Sequence, residues 1–135
     1  MSEIEVIRTY YQRIVSEDFP YAREIGEDEL RVKAVALRGC HGNSKNVLFL
    51  SCTTPGGTIA DVKYECQYCD VTMYVTAELV CEWISGRTVD ALADVDEEAM
   101  ARQLGGKCRK VLRQARTALR LLVEGLHNGT GDTER

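Results

Sequence analysis

Gly57-Thr58-Ile59-Ala60-Asp61-Val62-Lys63-Tyr64-Glu65-Cys66 carries the cleanest alternation in the chain. Ala60, Val62, Tyr64 and Cys66 point one way, and Asp61, Lys63 and Glu65 the other. Period two with β-branched and aromatic residues reads as a strand with one buried face. Just upstream, Thr54-Pro55-Gly56-Gly57 is a strong turn signal after the short apolar run Asn46–Ser51. The two runs should therefore form an antiparallel hairpin. A third strand is expected over Leu30–Leu37, with Leu30, Val32, Ala34 and Ala36 on one face.

Outside this strand-rich segment the period changes to that of a helix. Residues 2–17 place Ile4, Ile7, Tyr11 and Ile14 at helical spacing after Ser2, a suitable N-cap, and the helix should stop before Pro20. Asp70 is the expected cap of a helix through about Ser85, ended by Gly86. A short segment near Val89–Leu92 and a helix over Glu97–Leu104 come next, broken by Gly105-Gly106. The last helix, about Lys107–Leu126, has Cys108, Val111, Leu112, Ala115, Leu119, Leu122, Val123 and Leu126 in one apolar stripe. Three strands followed by helices imply one α+β domain, a small three-stranded antiparallel sheet covered by helices on one side. That domain should span residues 1–127, with 128–135 a polar, disordered tail.

The 135 residues suffice for a single core, and 44% hydrophobic with 28% charged residues fit a globular protein. A net charge of -4 gives no reason to expect nucleic acid. The basic residues of the last helix (Lys107, Arg109, Lys110, Arg113, Arg116, Arg120) read as a solvated face or a contact for an acidic protein. No apolar run approaches the ~20 residues that span a bilayer. The opening Met-Ser-Glu-Ile-Glu-Val lacks the basic and apolar regions of a signal peptide, so a cytoplasmic location without membrane contact is expected. In a reducing compartment the six cysteines are candidates for metal binding or catalysis where exposed, and for packing where buried.

Three of them stand at expected junctions between elements: Cys40 after the first strand, Cys69 before the Asp70 helix, and Cys108 in the first turn of the last. Unpaired N–H groups and the helix dipole favour an anion at a helix N-terminus, which suits a thiolate. Lys107 and Arg109 flank Cys108 with positive charge. If the two helix starts and the loop after the first strand converge, the three thiols meet at one end of the domain. His41, in the loop Arg38-Gly39-Cys40-His41-Gly42, is a candidate fourth ligand, proton acceptor or solvated side chain. Cys66 and Cys69 form a Cys-x-x-Cys, yet the alternation turns Cys66 toward the core, so packing is expected of it ahead of a reversible disulfide. Cys52 and Cys81 are expected to pack as small hydrophobes.

The order of these features resembles the iron–sulfur cluster assembly scaffold family, the IscU/SufU type equivalent to the N-terminal domain of NifU. The resemblance runs through Gly57-Thr-Ile-Ala-Asp61-Val-Lys-Tyr64 to Cys69, and through Glu78-Leu-Val-Cys-Glu82-Trp-Ile-Ser-Gly86-Arg-Thr-Val-Asp90. It includes Tyr10-Tyr11 and Asp18-Phe-Pro20-Tyr-Ala-Arg23-Glu-Ile-Gly26, and so covers residues 3 to about 126. It implies that Cys40, Cys69 and Cys108, with His41 or Asn43 near an open position, hold a transient [2Fe–2S] cluster or Zn2+. It further implies sulfur supplied by a cysteine desulfurase, delivery to apo iron–sulfur proteins, no turnover chemistry of its own, and a monomer or weak homo-oligomer. Where the family has Cys-Gly-Asp this chain has Cys40-His41-Gly42-Asn43, and it lacks the Leu-Pro-Pro-Val-Lys motif before the third cysteine. A zinc-holding sulfur acceptor of the same fold, and a Cys66/Cys69 redox protein, are the alternative readings.

Overall fold

The computed structural model describes residues 2–38 and 44–128. Helix α1 (Glu3–Ser16) opens with a reciprocal cap: the Ser2 hydroxyl accepts from Glu5 N–H, and the Glu5 carboxylate accepts from Ser2 N–H. Its buried face is Val6, Tyr10 and Ile14, flanked by Ile7 and Tyr11, while Ile4 is exposed. The apolar face is thus rotated from the one that the Ile4 spacing suggests, because the Tyr10 hydroxyl has a partner in Glu82 on another helix (2.8 Å). Asp18 and Phe19, both at positive φ, end the helix before Pro20.

Strands β1 (Val32–Arg38), β2 (Ser44–Thr53) and β3 (Ala60–Gln67) form an antiparallel sheet in the order β1-β2-β3. The α+β fold with a three-stranded antiparallel sheet is the one expected. β3 keeps its alternation where it matters, with Val62 and Tyr64 buried and Lys63 and Glu65 on the opposite face. Those two pair with Glu29 and Arg31 at 2.7 Å each. β1 begins two residues later than the alternation indicates and carries two register irregularities against β2. The free edge of β3 is covered by residues 21–23: Tyr64 N–H donates to Tyr21 and Arg23 N–H donates to Tyr64. Such cover removes an edge that could pair with another chain.

Helix α2 (Val71–Ile84) is buried along nearly its whole length, from Met73 to Ile84. It packs against β3 on one side and against α1 and the last helix on others, so nearly every face of it is buried, Thr76 and Glu78 included. Helix α3 (Glu97–Leu104) and helix α4 (Arg109–Asn128) complete the layer. On α4, Val111, Leu112, Ala115, Ala118, Leu119 and Leu122 are buried against β1 and α2. Its cations stay in water, where Arg109, Arg116 and Arg120 pair with Glu3, Glu97 and Glu124. No helix among the described residues is long and apolar enough to cross a membrane.

Candidate functional site

The β3–α2 junction is built from backbone conformations that sequence patterns do not announce. Tyr68 adopts φ 55° and projects its ring into solvent at 80% exposure, which folds the chain back between Gln67 and Cys69. Asn46 of β2, itself at φ 56° and buried, clamps this turn. Its backbone N–H donates to Tyr68 O (3.1 Å), its side-chain oxygen accepts from Asp70 N–H (2.8 Å), and its amide donates to the Asp70 carboxylate (3.2 Å). Asp70 in turn caps α2 by accepting from Met73 N–H at 2.9 Å. Cys69 is therefore the residue directly before the N-cap.

The same turn joins Cys66 to Cys69 in a disulfide, with Cα atoms 5.9 Å apart. Cys66 does pack against the edge of the core, as the alternation suggests, and its sulfur is at the same time bonded to Cys69. It stands at the end of β3, where the alternation stops and the side chain is only half-buried. The Cys69 sulfur also lies 3.8 Å from Val47 O and 3.6 Å from Gln67 O. A bonded sulfur carries no proton to give, so these contacts become hydrogen bonds only in the reduced thiol.

Cys108 is 1% exposed, and its carbonyl accepts from Leu112 N–H (3.0 Å), which makes it the cap position of α4. Residues on either side of it touch α1: Gly106 lies against Val6, and Arg109 pairs with Glu3. Cys40 and His41 fall on residues 39–43, outside the described residues. The residues that flank them, Arg38 and Ser44, pair with each other at the end of the sheet where β3 finishes and α2 starts. Among the described residues no group of three or more His, Cys, Asp or Glu side chains is arranged to hold a metal ion. Cys52 and Cys81 are buried in the core, as expected; burial pushes the Cys52 thiol up to about 11 and the Cys81 thiol well above its ordinary value.

Behind the junction lies a buried polar pair that the sequence did not single out as functional. Glu78, 2% exposed, accepts from the Tyr64 hydroxyl at 2.9 Å and from Tyr21 N–H at 3.4 Å. A charge in the middle of an apolar helical run was the available signal. Burial raises the Glu78 carboxyl above the usual carboxylate range, against the lowering effect of the two hydrogen bonds. Glu82, one turn further, is also pushed up by burial, but Arg13 and Tyr10 outweigh that and hold it low.

The sign of the Glu78 effect follows from linkage. A carboxyl raised in the folded state contributes its stability below the unfolded pKa and loses it as pH rises through the folded value. Glu78→Gln keeps an acceptor for Tyr64 and cannot ionise. Its stability relative to the unsubstituted chain should therefore rise steadily from acid to neutral pH, read from urea midpoints at each pH. A difference that does not change with pH would refute this account of Glu78.

No protein-family model matches this chain, and no curated protein matches it at a significant level.

Proposed function

We propose that this chain is an iron–sulfur cluster assembly scaffold of the cytoplasm, not an enzyme, in which Cys40, Cys69 and Cys108 are the donors. Support comes mainly from where the described thiols stand. Cys69 directly precedes the cap of α2, and Cys108 is the cap of α4. Both occur within the helix, three strands, three helices order on which the resemblance rests. Thiolates are the preferred ligands of iron–sulfur clusters and zinc, and three protein donors leave a fourth position open for exchange, which a scaffold needs in order to release its cargo. Sulfur arrives when one thiolate attacks the outer sulfur of a desulfurase persulfide and the desulfurase thiolate departs. A dithiol must then supply two electrons to release that sulfur as sulfide, itself leaving as a disulfide. Iron and sulfide then assemble, and the finished cluster passes to apo iron–sulfur proteins.

The donors are not assembled in the described residues. Cys69 is bonded to Cys66, and Cys108 is closed off at the start of α4. Loading requires the disulfide reduced and the contact between Gly106, in the α3–α4 link, and Val6 of α1 loosened.

Protein purified without oxygen and under reductant should be brown, with bound iron and sulfide, and should accept reconstituted cluster. Serine at Cys40, Cys69 or Cys108 should each abolish retention. Colourless protein with about one zinc per chain would favour the sulfur-acceptor reading. Neither metal, together with reversible Cys66–Cys69 oxidation by small disulfides, would replace both readings with a thiol redox protein.

A further inference from the structure

We infer that Cys66 is a redox latch on Cys69: oxidation of the pair withdraws Cys69 from the donor set, and reduction by a dithiol returns it. The inference rests on the scaffold reading and assigns that site its control. Among the described cysteines, Cys52, Cys81 and Cys108 are buried, whereas Cys66 and Cys69 are partly exposed beside the solvent-directed ring of Tyr68. A partner thiol can approach this pair and not the others.

As a structural staple the bond has little to do. It spans three residues of sequence, and short loops gain least from cross-linking. The turn is held without it, because Asn46 binds Tyr68 O, Asp70 N–H and the Asp70 carboxylate. None of the clamp's hydrogen bonds involves a sulfur, so breaking the S–S bond removes no hydrogen bond from the turn that brings Cys66 and Cys69 together. On reduction the Cys69 thiol finds Val47 O and Gln67 O as acceptors already in place.

The exchange balances with a dithiol partner. Its thiolate attacks one sulfur, the other leaves as a thiolate, and the partner's second thiol resolves the mixed disulfide. Two electrons and two protons pass to Cys66 and Cys69, and the partner leaves as a disulfide; in the closing direction a partner disulfide is the oxidant and leaves as the dithiol.

The test uses the full chain, reduced without oxygen, with one portion reoxidised by a small-molecule disulfide, and Zn2+ as the probe. Peptide mapping of the oxidised portion should locate the bond between Cys66 and Cys69. Zinc affinity, read by competition with a chromophoric chelator, should be at least ~10-fold weaker in the oxidised portion, since a donor has been removed. Cys66→Ser, given the same oxidation, has no second thiol to resolve the attack and should hold the small thiol on Cys69, read as added mass on that peptide, whereas the unsubstituted chain should not. Equal zinc affinity in both portions of the unsubstituted chain would overturn the latch and leave the scaffold reading intact. So would a bond mapped from Cys69 to another cysteine, or a Cys66→Ser protein that fails to bind zinc when reduced while the unsubstituted chain binds it. Absence of zinc and iron binding in the folded, reduced, unsubstituted chain would remove the scaffold reading and the latch with it.

Discussion

Tyr64→Ala is expected to cost about 4 kcal/mol, close to the whole stability of a small domain. Tyr64 is 1% exposed at the centre of β3, with its ring in the core and its hydroxyl on Glu78. Removing the ring leaves a large cavity between β3 and α2. Removing the hydroxyl takes away the stronger of the two donors to a buried carboxyl, leaving only Tyr21 N–H at 3.4 Å. Tyr64→Phe separates the two losses. It keeps the ring and should cost about 1–3 kcal/mol for the stranded acceptor. That smaller cost should shrink at acid pH, because Glu78, already raised by burial, then becomes neutral in both chains. Urea unfolding of the three proteins at acid and neutral pH tests this. Equal stabilities of Tyr64→Phe and the unsubstituted chain at neutral pH would show that the hydroxyl contributes nothing.

Tyr64 also shows which parts of the molecule could be read from sequence. Its alternation with Val62, the Pro55-Gly56-Gly57 turn, the Asp70 cap and the stripe on α4 are local patterns, and each element formed where its pattern stood. Patterns failed where tertiary contact chose between equivalent local solutions. Ile4 and Val6 can each start an apolar face on α1, and contacts across the fold, Tyr10 with Glu82 and Val6 with Gly106, favour the second. Residues 21–23 carry no strand pattern because they extend the sheet through backbone groups alone. The β3–α2 junction was hidden for a different reason. Tyr68 and Asn46 both adopt positive φ without being glycine, which composition does not reveal, and their geometry converts a Cys-x-x-Cys of uncertain role into a bonded pair.

Gly105 and Gly106 look alike in sequence and should respond differently to alanine. Gly105 ends α3 at φ 101°, its N–H bonded to Ala101 O, and a Cβ there would meet nothing within 4 Å. Gly105→Ala should therefore cost only the backbone strain, about 1–2 kcal/mol. At Gly106 a Cβ would lie 2.6 Å from Val6 Cγ2, inside the contact that joins α1 to the start of α4. Val6 is itself buried and stiff at χ1, so it cannot swing aside and α1 must move. Overpacking of this kind costs about 1–3 kcal/mol. Val6→Ala in the same chain should relieve it, so that the double substitution is less destabilised than the sum of the singles. Because Gly106 and Arg109, on either side of buried Cys108, are both in contact with α1, Gly106→Ala should also speed alkylation of the Cys108 thiol in the folded protein, whereas Gly105→Ala should not. Faster alkylation with Gly105→Ala alone would mean that the α3–α4 link, and not the α1 contact, guards this cysteine.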